Sequence, residues 1–256
     1  MSIIALRAWY LEDYEPIQDL EKRLPDIRLS KKSLLKSGLR ADFLEESEQV
    51  KQSTWFGRYL AGESIEFYIE GSGGYCVANI DLISHEIYFT KQAVLAQLDP
   101  IVFLSPQTEY SVAREALQEA MLSSLEILNL RSRLPLSLVE SYRSQDAPLR
   151  LGSSIIRKIR KSLLFIADIT PITSINNHQT PRLISSPNVC IELGYAIQSK
   201  RVEQILLVQM QRPDLSGEMP FDLPKTQILP FQNSTEINKI LPQAIENQLA
   251  RFRLFS

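Results

Sequence analysis

Histidine and cysteine are both rare in this chain, with two residues of each among 256. Neither His85 nor His178 pairs with a cysteine at the spacing of zinc ligands, so no standard metal site is expected. A Ser-His-Asp hydrolase would need one of these histidines. We expect a strand role for His85 and a loop role for His178. Cys76 and Cys190 lie far apart in apolar segments, which favours reduced core thiols over a disulfide.

The chain also lacks a strong net charge and any long apolar run. Its formal charge of −2 creates no field that would draw it to nucleic acid or to an anionic membrane. No apolar run approaches the roughly 20 residues of a membrane helix, and the N-terminus lacks the pattern of a signal peptide. We therefore expect a cytoplasmic protein with no membrane contact, no nucleic-acid partner and no resident cofactor.

A change of rhythm near residue 98 predicts two domains. Residues 1–98 contain short alternating segments and turn residues, which predict a smaller α+β domain of unknown role. The glycine cluster at 71–74 separates two alternating runs and predicts a β-hairpin, because it lacks the spacing of a phosphate loop. A polar stretch, 25–52, precedes these runs.

Residues 99–256 alternate apolar strands with amphipathic helices, in the order β-α-β-α-β-α-β-β-α. This order predicts an α/β fold with a flavodoxin-like, mostly parallel sheet flanked by helices. The long polar loop 171–187 joins the third strand to the next helix, and we expect it to overhang the edge of the sheet. The basic cluster 157–161 predicts a solvated amphipathic face, with phosphate contact as the alternative.

The most informative segment is 163–208. Its first strand ends at Asp168, and ligands of parallel α/β sheets bind outside the carboxyl ends of the strands. The following helix is apolar except for a stripe that carries Asn188, Glu192 and Tyr195, which helical spacing places on one face. Gly194 would allow a ligand or backbone to approach closely. The simpler interpretation is that Asn188 caps the helix and Glu192 is solvated near its start.

The sequence ADIT, followed by SPNVCIELGYA and a strand ILLV, resembles the signature shared by TIR-like and nucleoside 2-deoxyribosyltransferase-like proteins. The resemblance implies that Glu192 is a catalytic carboxylate acting on the ribosyl carbon of an N-glycosidic bond, and that Asp168 contacts the base or the ribose. A carboxylate suits such chemistry because it stabilises positive charge at the anomeric carbon or bonds to it. Ser105 and Tyr110, after the first strand, are further pocket candidates. Ser186 stands where the transferases carry another acid.

We therefore expect an enzyme that cleaves an N-glycosidic bond, with NAD as the first candidate substrate and a simple nucleoside as the second. Relatives of this kind often act as effectors in bacterial defence, with residues 1–98 then serving as a sensing or assembly domain. Two alternatives remain open: a module that senses a nucleotide without turning it over, and a TIR-like scaffold that assembles into homo-oligomers.

Overall fold

A computed structural model describes residues 5–30, 40–91, 98–141, 153–175, 181–219 and 228–255. The chain divides into two compact units, Met1–Leu98 and Asp99–Ser256. Within the described ranges, no helix is both long and apolar enough to cross a membrane.

The first unit is built on a six-stranded antiparallel sheet with the strand order β2-β1-β4-β5-β6-β3. A bridge between Leu29 and Phe43 brings the two outer strands together, so the sheet nearly closes on itself. Its elements in chain order are β1 (Ala5–Tyr10), α1 (Ile17–Leu20), β2 (Ile27–Ser30), β3 (Arg40–Asp42), α2 (Ser47–Lys51), α3 (Thr54–Leu60), β4 (Glu66–Ile69), β5 (Gly73–Asp81) and β6 (Glu86–Lys91).

The predicted glycine hairpin is confirmed. β4 and β5 pair antiparallel, with Ile69 opposite Gly73. Gly71 and Gly73 adopt positive φ angles of 68° and 110°, which the turn requires and which glycine adopts without steric strain.

Aromatic rings fill the inside of the first sheet. Phe67 is fully buried, and its ring centroid lies 5.1 Å from that of Trp55, which α3 contributes. His85 has a structural role, but it does not lie in a strand as expected: its ring stacks on Phe43 at 4.9 Å, and its Nε2 lies 3.2 Å from Ser47 Oγ. Its φ of 56° places it in a turn between β5 and β6.

The second unit contains a five-stranded parallel sheet with the order β13-β12-β9-β7-β8, and a separate two-stranded antiparallel hairpin, β10-β11. Its elements are β7 (Asp99–Ser105), α4 (Ser111–Asn129), β8 (Ser137–Glu140), α5 (Ser153–Lys161), β9 (Ser162–Asp168), β10 (Pro171–Ile175), β11 (Arg182–Ser185), α6 (Pro187–Ser199), β12 (Ile205–Met210), β13 (Ile228–Phe231) and α7 (Ser234–Leu249).

The fold is thus mixed α/β, and the expected flavodoxin-like, mostly parallel sheet is wrong as its fold class. The largest sheet, with six strands, is antiparallel, and the parallel sheet has five strands. Strand-helix alternation in residues 99–256 dominates the sequence pattern. By contrast, β2 and β3 have only four and three residues and show almost no periodic signal, so the polar stretch 25–52 conceals two strands and α2.

Helices cover the parallel sheet. α5 and α6 contact each other and pack on the odd-numbered side chains of β9, including Phe165 and Ala167. α4 and α7 contact each other and pack on the other face. All five strands end at one edge, which we call the carboxyl edge. β7 lies between β8, the next strand in the chain, and β9, so the chain changes direction across the sheet at β7. A crevice is therefore expected beside the ends of β7 and β9.

Candidate functional site

Glu192 lies at the carboxyl edge and is completely buried, with 0% of its surface exposed. Ser105 Oγ donates a hydrogen bond to its Oε2 at 2.5 Å, and Ser141 Oγ donates one to its Oε1 at 2.6 Å. These two residues, the serine pair, end β7 and follow β8, so neighbouring strands supply them. Three separate elements therefore converge on one carboxylate.

α6 presents Glu192 to the sheet instead of to solvent. The buried residues of this helix are Val189, Glu192, Leu193 and Ala196, so Glu192 shares the packing face with three apolar side chains. Ile197, four residues after Leu193, is 50% exposed. The interpretation of Glu192 as a solvated residue near the helix start is therefore wrong.

Asp168, the last residue of β9, is the second buried acid at the carboxyl edge. Its Oδ1 accepts a hydrogen bond from the Thr170 backbone N at 3.0 Å, whereas its Oδ2 has no hydrogen bond of standard geometry among the described residues. Burial raises the pKa of Asp168 to about 6, against the opposing effect of hydrogen-bonding groups on Thr170 and Gln107.

The two acids lie on opposite faces of the parallel sheet. Ser105 pairs with Ala167, which packs in the core with α6. Because side chains alternate along a strand, Asp168 points to the face of α4, and Gln107, in the loop that leads to that helix, is among the groups that lower its pKa. The structure thus brings Ser105 to Glu192 and places Asp168 in a separate polar group beside it.

The other two residues of the predicted stripe are not fully buried. Asn188 is half-buried in the first turn of α6, and the residue at the N-cap is Ser186. Tyr195 is half-buried and packs against the apolar core between α6 and the sheet. Gly194 is exposed, and no described residue comes within 4 Å of the position where its Cβ would lie, so the close approach that glycine would allow is not seen there.

The loop after β7 leads into α4 and also contacts the start of α6. Ser186 Oγ donates to Glu109 Oε1 at 2.8 Å, so the N-cap serine of α6 binds a carboxylate from the loop after β7. Tyr110 is fixed by Gln107, whose Oε1 accepts from the Tyr110 backbone N at 2.7 Å. The guanidinium of Arg212 stacks on the Tyr110 ring, 4.2 Å from its centroid.

The predicted loop 171–187 contains the β10–β11 hairpin, whose tip, with His178, lies outside the described residues. Contacts attach the hairpin to the segment after β12: Arg212 Nη1 donates to Pro171 O at 3.2 Å, and the Glu218 backbone N donates to Pro181 O at 2.9 Å. A Cβ on Gly217 would lie 2.3 Å from Pro181 O, so this position requires glycine.

Both cysteines are free; Cys76 is buried and Cys190 is half-buried, and burial raises the pKa of Cys190. The part of the chain that the structure describes contains no cluster of three or more histidine, cysteine, aspartate or glutamate side chains that could hold a metal ion.

Sequence reasoning did not identify Ser141, Gln107 or Thr170. The rule that led to Asp168, a polar residue at the end of a parallel strand, also applies to Ser141. Its strand is only four residues long and follows Pro135, which weakens the pattern.

No protein-family model matches this chain, and no curated protein matches it.

Proposed function

We propose that the second unit binds a nucleotide at its carboxyl edge and hydrolyses the N-glycosidic bond, with Glu192 as the catalytic carboxylate and NAD as the first candidate substrate. The observation that carries the proposal is the buried Glu192 held by the serine pair where parallel α/β sheets bind their ligands. The resemblance of the surrounding sequence to TIR-like and deoxyribosyltransferase-like proteins supports the same role.

Stability alone does not explain Glu192. Burying a carboxylate costs several kcal/mol unless hydrogen bonds replace its water, and an apolar side chain of similar volume is often more stable in such a place. The neighbouring buried positions of α6 are indeed valine, leucine and alanine. A carboxylate retained among them is typical of a site where function competes with stability.

The reaction requires few groups. The bond between C1′ of the ribose and the base nitrogen breaks, and its electron pair leaves with the base. Glu192 stabilises the positive charge that develops at C1′, either electrostatically or by bonding to that carbon. The oxygen of a water molecule then forms the new bond to C1′, and a proton of that water passes to solvent.

The lack of an acid at position 186 favours NAD over a simple nucleoside. A purine leaves more easily when it is protonated, whereas the nicotinamide of NAD is already cationic and leaves as a neutral pyridine. Ser186 supplies no acid, and its hydroxyl proton is directed to Glu109. Asp168 lies on the other face of the sheet from Glu192. A leaving group that needs no proton is therefore the better fit.

One observation favours a second function, nucleotide sensing without turnover. Glu192 has no exposed surface, and both of its oxygens already accept hydrogen bonds. A purely structural carboxylate would look the same. In that case, a ligand would bind beside Asp168 and Tyr110 without reaching Glu192. The proposal of NAD hydrolysis includes a cytoplasmic location and a defence role, with residues 1–98 as a sensing or assembly domain.

The test is turnover of NAD, adenosine and 2′-deoxyadenosine by the full chain, followed by chromatography. We expect nicotinamide release from NAD by the wild type that is lost in Glu192→Gln. Glu119→Gln, an exposed position on α4, is the matched control and should retain turnover. A rise in melting temperature with NAD but no product would support the sensing function. If none of these compounds gives a product or a shift in melting temperature, that result would contradict a nucleotide-directed role.

A further inference from the structure

The serine pair is asymmetric in its burial and its support. From this asymmetry we infer that Ser105 is a positioning residue that permanently anchors Glu192 Oε2, whereas Ser141 is an exchangeable cover on Oε1 that gives way to the substrate. The inference rests on the proposed function, because it identifies which oxygen of Glu192 reaches the ribosyl carbon.

Ser105 has the features of a fixed anchor. It is only 1% exposed, and its strand β7 lies inside the sheet, between β8 and β9. Its backbone is held in register opposite Ala167. Ser105 has no access to water, and among the described residues its hydroxyl has only this bond of 2.5 Å, so leaving Glu192 would cost the desolvation of both groups.

Ser141 has a fixed backbone and a side chain near solvent. Its backbone N donates to Leu104 O at 3.0 Å, which keeps the residue beside the carboxyl edge. The side chain is half-buried, and β8 is the outermost strand on its side of the sheet. Rotation about χ1 moves the hydroxyl from Glu192 to water without any movement of the main chain.

This division of roles suits a reactive carboxylate. Holding one oxygen fixes the direction of the carboxyl group, and a single rotation of the Ser141 side chain withdraws one donor from the other oxygen. A well-supported catalytic group keeps its geometry within fractions of an ångström of the productive position, which accounts for a large part of catalytic efficiency. Oε1 is therefore the oxygen that faces the substrate, and the hydroxyl of Ser141 marks the place that a substrate oxygen or C1′ approaches.

Steady-state kinetics of single variants tests these roles in the full chain. Ser105→Ala should lower kcat by about 10- to 100-fold with KM nearly constant. The lost hydrogen bond positions the charged Glu192 and does not contact the substrate. Ser105→Thr, which keeps a hydroxyl, should recover part of that loss. Ser141→Ala should lower KM by about 3- to 10-fold, because the substrate no longer displaces a hydroxyl. Ser124→Ala removes an equally buried hydroxyl on α4 and is the control.

A double-mutant cycle on unfolding midpoints separates this inference from the proposed function. Combining Glu192→Gln with each serine variant measures the coupling of each serine to Glu192 without any substrate. We expect strong coupling for Ser105 and clearly weaker coupling for Ser141. Asymmetric coupling in a chain without turnover would overturn the proposed function and leave the anchor assignment standing. Equal coupling, or equal loss of kcat in both alanine variants, would overturn the asymmetry itself.

Discussion

The two units of the chain differ sharply in what they bury. Among the described residues, the first unit buries aromatic and aliphatic side chains together with one cysteine, and no serine, threonine, amide or carboxyl side chain. The described part of the second unit buries ten such polar side chains: Ser105, Gln107, Ser124, Ser162, Asp168, Thr170, Ser185, Ser186, Glu192 and Gln204. Most of these lie at the carboxyl edge, at or after the ends of β7, β9 and β11.

Under the proposed function, the difference separates a unit built for packing from one that combines packing with chemistry. Polar groups removed from water add little to stability even when they are paired, and they destabilise the fold when they are not. Their concentration at one edge of one sheet is therefore better explained by a ligand than by folding. The first unit shows that this chain can build a core without them.

Shortening a core side chain of the first unit should give the largest loss of stability. Phe67→Ala removes a fully buried ring that contacts Trp55 and Phe89, and we expect it to lower the unfolding free energy by about 3–5 kcal/mol. Denaturant unfolding followed by tryptophan fluorescence would measure it. Phe67→Leu is the control and should cost less than about 2 kcal/mol. Equal, small losses in both variants would show that the packing of this core is not what stabilises it.

Neutralising Asp168 should stabilise the second unit near neutral pH. Because its pKa in the folded state is raised from 3.8 to about 6, the folded chain binds more protons than the unfolded chain between about pH 4 and pH 6. Its contribution to stability therefore falls as pH rises through that window. Asp168→Asn should be about 1–3 kcal/mol more stable than the wild type at pH 7, with the difference shrinking toward zero at pH 4.

Denaturant unfolding of both proteins at pH 4 and pH 7 would check this prediction. Asp214→Asn provides a contrast, since the hydrogen-bonded ion pair with Arg212 lowers the pKa of Asp214, and its loss should destabilise the protein at pH 7. A pH-independent effect of Asp168→Asn would count against a buried, titrating acid at the carboxyl edge.

Lys200, at the opposite edge of the parallel sheet, should give a smaller effect of opposite pH dependence. Burial lowers its pKa from 10.5 to about 7, and its Nζ donates to Ser162 O at 2.5 Å. The unfolded chain thus binds more protons between pH 7 and pH 10.5, so this lysine contributes more stability as pH rises.

Lys200→Met should remove that slope. At pH 7 and below it should raise the unfolding free energy by about 1 kcal/mol. The gain is this small because the Ser162 carbonyl loses its hydrogen-bond donor. Melting temperatures between pH 6 and pH 10 would reveal the effect, with the exposed Lys158→Met on α5 as control. Parallel pH profiles for Lys200→Met and wild type would refute it.

Sequence periodicity identified the elements that are long or strongly patterned. The hairpin at the glycine cluster, α4, β9, α6 and β12 all occur where the pattern places them. It did not identify β2, β3 or the β10–β11 hairpin, because strands of three to five residues show almost no alternation and pair only through contacts distant in sequence. The closure of the first sheet depends on such contacts, so the fold class predicted from residues 99–256 was wrong.

The candidate site shows the same limit. The apolar context of Glu192 indicated an unusual carboxylate, but helical spacing assigned it to a stripe with Asn188 and Tyr195. The structure gives it the serine pair instead. Which face of α6 is buried depends on the sheet beneath it, and no local pattern specifies that Ser141 reaches Glu192 from β8. That Asp168 lies on the other face follows from strand register, which sequence alone does not define.

The central claim is that Glu192 is retained for chemistry at the expense of stability. The most direct test measures nicotinamide release and denaturant unfolding on the same preparations of wild type and Glu192→Gln. We predict that Glu192→Gln loses turnover of NAD and is at least as stable as the wild type. A variant that is markedly less stable, together with a wild type that releases no nicotinamide, would contradict the claim and make Glu192 a structural carboxylate.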